Sequence, residues 1–324
     1  MMPAFEYVRA RSLDEAVQHL SSGGAVVHAG GTDLLGCLRE RVFPAGRMVS
    51  ISALKELAGI RETSSGIRIG ALTTVAEIAE SPLIKKLYPG LAQAAREVAS
   101  PQLRNQGTLG GNICQKPRCW YYRGEFHCLR KGGDTCFAVS GENQFHCVLG
   151  GENCFIVHPS DTAPALLALD AQVRIVGPKG ARSVAIADFF VSPARDPKKE
   201  TVLAAAEIVT EILLPRPPMG LRSSYRKVRA RRSWDFALAG VALALQLDGN
   251  RVIGGRVVLS GAAPVPWRSL EVEEVISGRP LDATTIASAK DAVMKKAQPL
   301  AQNAYKIGLF QAVIEEELLA VART

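Results

Sequence analysis

Short apolar runs set off by glycine and proline dominate the first half of the chain. Residues 4–9 alternate weakly between apolar and polar, and 25–29 and 48–51 are brief apolar runs, so each predicts a strand. Between the first two, Ser12-Leu13-Asp14-Glu15 has the spacing of a capping box and predicts a helix through Leu20, stopped by Gly23-Gly24. Residues 1–57 thus read as a small α/β unit. Further on, apolar runs at 60–62 and 67–69, and again at 173–176 and 183–186, flank turn residues and predict two hairpins. Thr74-Val75-Ala76-Glu77 is a second capping box, 91–99 a short helix ended by Pro101, and 162–169 a helix that Asp161 is placed to cap. Residues 207–214 predict a strand ending at Pro215, and 216–220, with Pro217, Pro218 and Gly220, form the clearest linker. After it come strands at 224–228, 237–247 and 251–260, the last two joined as a hairpin through Asp248-Gly249, then helical patterns at 284–296 and 304–320. The whole predicts an α+β fold with mixed and antiparallel sheets and no internal repeat.

One stretch, 114–157, lacks any such periodicity. It reads as an irregular loop of a length that compact domains keep for function. Of the chain's seven cysteines, five crowd into it with the spacing Cys119-x8-Cys128-x7-Cys136-x10-Cys147-x6-Cys154; Cys37 and Cys114 lie outside that window. The start of the chain has no apolar signal core, so no secretion address of its own is expected, and clustered thiols then point to metal or redox chemistry. No Cys-x-x-Cys pair is present, which weakens a structural zinc site. Iron–sulfur ligation needs four thiolates but accepts wider spacings, which puts it slightly ahead of zinc. His127 and His146 each adjoin a cysteine and fit better as donors behind ligands, or as solvated side chains, than as ligands. Trp120, Tyr121 and Tyr122 would shield a cluster from water or anchor the loop.

Two glycine segments carry the other chemical signal: His28-Ala29-Gly30-Gly31-Thr32-Asp33-Leu34 and Gly107-Thr108-Leu109-Gly110-Gly111-Asn112. Backbone amides at such turns form concave anion sites, because no β-carbon blocks a phosphate. Either segment alone is more often a strand-ending turn. Two of them, with Asp161 downstream, favour a phosphate-bearing cofactor. The Gly-x-Gly-x-x-Gly dinucleotide fingerprint is absent. The stretch 225–235 can bring Lys227 and Asp235 near a ligand, although a basic solvated strand is the commoner meaning.

Composition narrows the class. At 324 residues and 47% hydrophobic content the chain is long and apolar enough for two or three folded domains, not a disordered segment. Lys and Arg outnumber Asp and Glu by 39 to 31, but the basic residues are scattered, with one knot at Arg226, Lys227, Arg229, Arg231 and Arg232. That balance names no partner. No apolar run is long enough to span a membrane. No Ser/His/Asp set, His-Glu-x-x-His or P-loop occurs, which disfavours hydrolysis.

At this level the residues resemble a family. AGGTDLL (29–35), RIGALTT (68–74), QLRNQGTLGGNI (102–113) and HPSDTAPALLALDA (158–171) resemble the FAD-binding medium subunit of the molybdenum hydroxylases, the xanthine dehydrogenase family. The resemblance covers essentially the whole chain. It implies a vanillyl-alcohol-oxidase-type (PCMH) FAD-binding domain over 1–218, in subdomains 1–57 and 58–218, and a C-terminal α+β domain like that of the carbon monoxide dehydrogenase flavoprotein over 219–324. The cysteine loop, 114–157, resembles the insertion that holds a 4Fe-4S cluster in 4-hydroxybenzoyl-CoA reductase and the bacterial periplasmic aldehyde oxidoreductase. By that resemblance Cys119, Cys128, Cys136 and Cys154 are the expected ligands, Cys154 lying seven residues before Asp161, and Cys147 is a spare thiol. Carried over by position, Val27, His28, Ala29, Gly30, Gly31, Thr32, Asp33 and Leu34 would wrap the FAD pyrophosphate. Thr108, Gly110, Gly111 and Asn112 would form a second phosphate-facing turn, Asp161 would bond the ADP portion, and Val209 and Lys227 would lie toward the isoalloxazine. No catalytic side chain is expected. The resemblance implies an electron-transfer subunit of a heterotrimer, with molybdopterin on a large subunit, 2Fe-2S clusters on a small subunit, and an external carrier such as ferredoxin. It implies no nucleic-acid partner, and a cytoplasmic site unless a partner carries the complex to the periplasm. A stand-alone flavin oxidoreductase and a zinc-stabilised binding module remain the rival readings.

Overall fold

The computed structural model describes residues 2–323, whose strands form three sheets. Strands β1 (Glu6–Arg9), β2 (Ala25–His28) and β3 (Arg47–Ser50) make a parallel sheet in the order β1-β3-β2. The helix Leu13–Ser21 starts at Ser12, whose hydroxyl accepts the Glu15 N–H at 3.1 Å. Glu15 reaches back to the Arg11 N–H at 2.7 Å, one residue short of the reciprocal bond a capping box makes. Gly23 and Gly24 take positive φ, at 79° and 64°, and turn the chain straight into β2.

The second sheet is wholly antiparallel: β4 (Ile60–Thr63), β5 (Gly66–Gly70), β6 (Gln172–Gly177), β7 (Gly180–Ala185) and β8 (Ile208–Pro215), in the order β4-β5-β8-β6-β7. Both expected hairpins are present, as β4 with β5 and β6 with β7. Thr74 makes the full capping box with Glu77. Helices Pro82–Leu87, Pro89–Glu97 and Pro101–Gln106 each begin with proline, where the missing N–H has no helical partner to lose. Pro101 therefore opens a helix as well as following one. The sheet buries Ile67, Ile69, Val173, Ile175, Ile212 and Leu214 against Ile78, Leu91 and Leu166 of the helical layer.

The third sheet runs β12-β11-β10-β9, from β9 (Leu221–Val228), β10 (Ala239–Asp248), β11 (Arg251–Ser260) and β12 (Trp267–Arg268). Helices Leu270–Ile276, Ala283–Ala292 and Tyr305–Ala322 cover one face. β10 is buried on both faces, which is why its sequence is a near-continuous apolar run. Val241, Leu243 and Leu245 meet the C-terminal helices, while Ala242 and Ala244 join the core of the five-stranded sheet.

Residues 114–157 are irregular apart from the short helical turns Trp120–Arg123 and Leu129–Lys131. Val148 and Leu149 nevertheless sit in the C-terminal core, their N–H groups both donating to Ala262 O, at 2.9 and 3.1 Å. Among the described residues, no helix is long and apolar enough to cross a membrane.

Candidate functional site

Beyond β2 the chain turns through Ala29, Gly30, Gly31, Thr32 and Asp33 into the helix Leu34–Arg39. Gly31 has φ +72°, a conformation that side chains resist, and a β-carbon there would lie 2.9 Å from the His28 ring. Among the described residues, no N–H from Ala29 through Leu34 donates to a protein acceptor. Successive unspent amides of this kind suit an anion.

The second glycine segment is built differently. Thr108 caps a short helix, Leu109–Ile113, and the amides are spent inside the protein. Leu109 N–H goes to Thr73 O and Gly110 N–H to Ala71 O, both at 2.9 Å; Gly111 N–H goes to Thr108 Oγ1 at 3.2 Å and Asn112 N–H to Thr108 O at 2.8 Å. Of these donors, the Thr108 N–H alone has no acceptor among the described residues. The two segments touch: a β-carbon on Gly30 would fall 1.9 Å from Gln106 O.

Both segments border one cavity of about 720 Å3, a volume ordinary for a cofactor pocket. Val27, Ala29, Gly30, Gly31, Thr32, Asp33, Leu34, Thr108, Gly110, Gly111 and Val209 line it, as do Cys37 and Cys114. Burial pushes those two thiols up, to about 11 and about 12, so both stay protonated at neutral pH. Four expected residues are not in the lining. His28 turns to Ser50, Nδ1 to Oγ 3.4 Å, and to the edge of Tyr7. Asn112 Oδ1 accepts from Ser160 and Thr162, at 2.6 and 2.7 Å. Asp161 and Lys227 pair with each other at 2.8 Å, and Tyr225 OH donates to the same carboxylate at 2.7 Å. Burial keeps the Asp161 carboxyl above its ordinary value even beside these partners. Asp161 does not cap the helix Thr162–Ala168; Ser160 Oγ accepts the Ala163 N–H instead, at 3.0 Å. Asp235, also singled out, bonds the Arg231 N–H at 3.0 Å.

A second, smaller cavity lies beside the first. Cys119, Cys128, Cys136 and Cys154 line it, with Tyr121, Phe137, Ala138, His146 and Ile156, around about 10 Å3 of free space. Cys147 is not in this lining; it is buried elsewhere, and burial raises its thiol to about 12. A hydrogen bond from the Cys154 thiol holds Cys136 down at about 6 and keeps Cys154 itself protonated. His146 Nε2 stands 3.3 Å from Cys119 Sγ; burial, and then the charge of Lys306, hold its imidazole neutral, at about 4. Among the described residues, no three His, Cys, Asp or Glu side chains converge to hold a single metal ion. The four thiols surround a space instead of meeting at a point.

Residues 3–217 match the FAD binding domain in molybdopterin dehydrogenase, and residues 223–321 match the CO dehydrogenase flavoprotein C-terminal domain. The aldehyde oxidoreductase FAD-binding subunit PaoB of Escherichia coli is 36% identical over 328 residues, spanning 99% of each chain. The carbon monoxide dehydrogenase medium chain of Hydrogenophaga pseudoflava is 29% identical, over 92% of this chain and 88% of its own. A solved carbon monoxide dehydrogenase from Hydrogenophaga pseudoflava, lacking the Mo-pyranopterin moiety of its cofactor, superposes with TM-score 0.79 at 27% identity, covering 100% of this chain and 98% of its own. The chain belongs to the FAD-binding medium subunits of the molybdenum hydroxylase family. It is thus a FAD-binding oxidoreductase subunit.

In this medium subunit the two cavities share a wall that the sequence reading missed as such. Tyr122 and Arg130 line both, the guanidinium 5.9 Å from the Tyr122 ring centre. Arg130 is fixed by Glu200, at 2.7 Å, and by the carbonyls of Pro197 and Lys199, at 2.7 and 2.9 Å. Burial opposes charge on Glu200, but Lys116 and Arg130 outweigh it and hold the carboxyl below its ordinary range. Asp33 stitches the glycine turn to the cysteine loop, accepting from the Lys116 N–H at 2.7 Å and from Arg123 and Arg118 at 2.7 and 3.0 Å. Arg130 and Glu200 are seventy residues apart, so no local pattern announces the pair.

Proposed function

We propose that this subunit holds FAD in the larger cavity and a 4Fe-4S cluster among Cys119, Cys128, Cys136 and Cys154, and relays electrons between the 2Fe-2S clusters of a small subunit and an external carrier such as ferredoxin. The substrate would be turned over at molybdopterin on a large subunit. The observation that carries this reading is the shared wall: a glycine-lined anion site and a four-thiol cavity stand back to back across Tyr122 and Arg130. When bound, FAD supplies exchange between one- and two-electron carriers, and the cluster supplies single-electron transfer.

This chain's own residues position and insulate. The amides of 29–34 bind the diphosphate, with Val27, Thr108, Gly110, Gly111 and Val209 enclosing the rest of the cofactor. Asp161 and Lys227 support that seat from behind, as the buried pair that fixes β9 against the loop before Thr162–Ala168. Tyr121, Phe137 and Ile156 keep water from the thiols. With about 10 Å3 between them, the thiols must part to admit a cluster. The division of the chain at 218/219 belongs to this reading; one family match ends at residue 217 and the other begins at 223. Likeness to the Escherichia coli aldehyde oxidoreductase subunit over the full length favours an aldehyde as substrate of the complex. The subunit would work in the cytoplasm, or in the periplasm if a partner carries the folded complex out.

The test is the iron, acid-labile sulfide, zinc and flavin content of the chain purified anaerobically, with Cys154→Ser and Cys147→Ser beside it. The expected result is about four irons and one FAD per chain, most iron lost in Cys154→Ser, and both cofactors kept in Cys147→Ser. FAD without iron would overturn the cluster, and iron lost in Cys147→Ser alone would reverse the ligand choice.

A further inference from the structure

The helix Tyr305–Ala322 carries a lysine in its first turn, and Lys306 is fully buried. Its Nζ donates to Gly261 O at 2.9 Å and toward Phe145 O at 3.4 Å. The other buried charged side chains meet opposite charge: Arg130 with Glu200, Asp161 with Lys227, Glu211 with Arg68, and Glu317 with Arg226. Lys306 has no carboxylate within ion-pair distance among the described residues. A buried ammonium with two carbonyl partners and no anion is a costly arrangement unless negative charge arrives nearby.

What lies nearby is the cysteine cavity. Phe145 O, which Lys306 faces, precedes His146, and His146 lines that cavity against Cys119 Sγ. The segment leading into this helix fixes the same wall. Asn303 Nδ2 donates to the carbonyls of His146 and Cys147, at 3.1 and 3.0 Å. Asn143 and Gln302 exchange reciprocal bonds of 3.0 and 2.9 Å. Arg130 is the cation that lines the cavity, and it differs from Lys306 in having a carboxylate partner, Glu200, which Lys116 also bonds.

We propose that Lys306 is the buried counter-charge of the four-thiolate seat and sets the cluster's reduction potential, drawing it upward by favouring the state with one more electron. The proposal rests on the cluster assigned above. Four thiolates around an iron–sulfur core carry net negative charge, and reduction adds to it without a proton. A fixed cation in a dry surrounding favours that addition through distance alone, and no contact with a ligand is needed.

The experiment compares the anaerobic native chain with Lys306→Met, which keeps length without charge, and Lys306→Gln, which keeps an N–H donor without charge. Iron and sulfide are counted for each, and the midpoint potential is read by redox titration of the cluster's EPR signal. Both variants are expected to keep their iron and to titrate at lower potential, by the same shift. An unchanged potential in iron-loaded variants overturns the proposal. So does recovery of the native potential in Lys306→Gln alone, which would assign the effect to the bond with the loop. Loss of iron from both variants would make Lys306 a structural support and also overturn it. A native chain without iron would instead bring down the cluster assignment itself.

Discussion

The cavities on either side of Tyr122 and Arg130 are made from different parts of the chain. The larger is a backbone site: its distinguishing groups are the amides of 29–34, and two of the nearby cations, Lys116 and Arg130, are already engaged with Glu200. The smaller is a side-chain site, four thiols drawn from 36 residues of irregular loop, with aromatic rings around them. A backbone site tolerates many changes of side chain but fails when a β-carbon enters. A side-chain site fails when one atom type is exchanged. The comparison also separates the two glycine segments: among the described residues the first leaves every N–H from Ala29 through Leu34 without a protein acceptor, the second that of Thr108 alone.

The sharpest way to break this contrast is Gly30→Val. Its β-carbon would collide with Gln106 O, forcing the turn away from the short helix beside it. Flavin affinity is expected to fall about tenfold or more as several charge-assisted bonds are lost, while iron stays. Flavin absorbance and iron on the same sample check it, and parallel loss of both would mean the cavities are not separable. Next in size is Lys227→Met. It leaves Asp161 buried without its cation and is expected to cost about 3–5 kcal/mol of stability, read by thermal or denaturant unfolding. Flavin per folded chain should hardly change. Flavin lost at unchanged stability would place Lys227 on the cofactor.

The smallest effect concerns a buried histidine outside both linings. His158 is buried with Nε2 unpaired among the described residues, and burial, then Arg130, hold its imidazole down at about 3. Unfolding lets it take up a proton near pH 6.5, so its contribution is whole above that pH and drains away as pH falls toward 3. Acidifying from pH 6.5 to 5.5 is expected to remove about 1 kcal/mol through this residue. His158→Gln should flatten the stability profile by that amount across the window, and an unchanged slope would show that His158 titrates in the fold.

Local signals made much of this architecture legible. Thr74 with Glu77, Asp248-Gly249 and the apolar runs of β2, β8 and β10 each act within a few residues, and each element stands where its pattern puts it. The proline-led helices were harder, because proline both ends one element and begins the next. The helix at 109–113 could not be read from its glycines, since Ala71 and Thr73, more than thirty residues away, hold its first amides. For the sites, cysteine spacing and family resemblance together picked out the four residues that line the small cavity. Arg130, Glu200 and Lys306 carried no such mark. Their roles arise from partners far along the chain, and a charged residue's burial is not written in its neighbours.

The segment 216–220 reads as a linker, yet the structure leaves it no freedom to act as a hinge. The cysteine loop leaves the first domain and returns to it, and on the way it plugs Val148 and Leu149 into the C-terminal core. Gln298 N–H closes on Val148 O at 2.7 Å, and Asn143 and Gln302 lock beside it. β10 is meanwhile clasped by the cores of both domains. The join is a seam, sewn at two places remote from it in sequence. A subunit with a seam in place of a hinge keeps its two cavities, and the C-terminal helices packed on the loop between them, in one fixed arrangement.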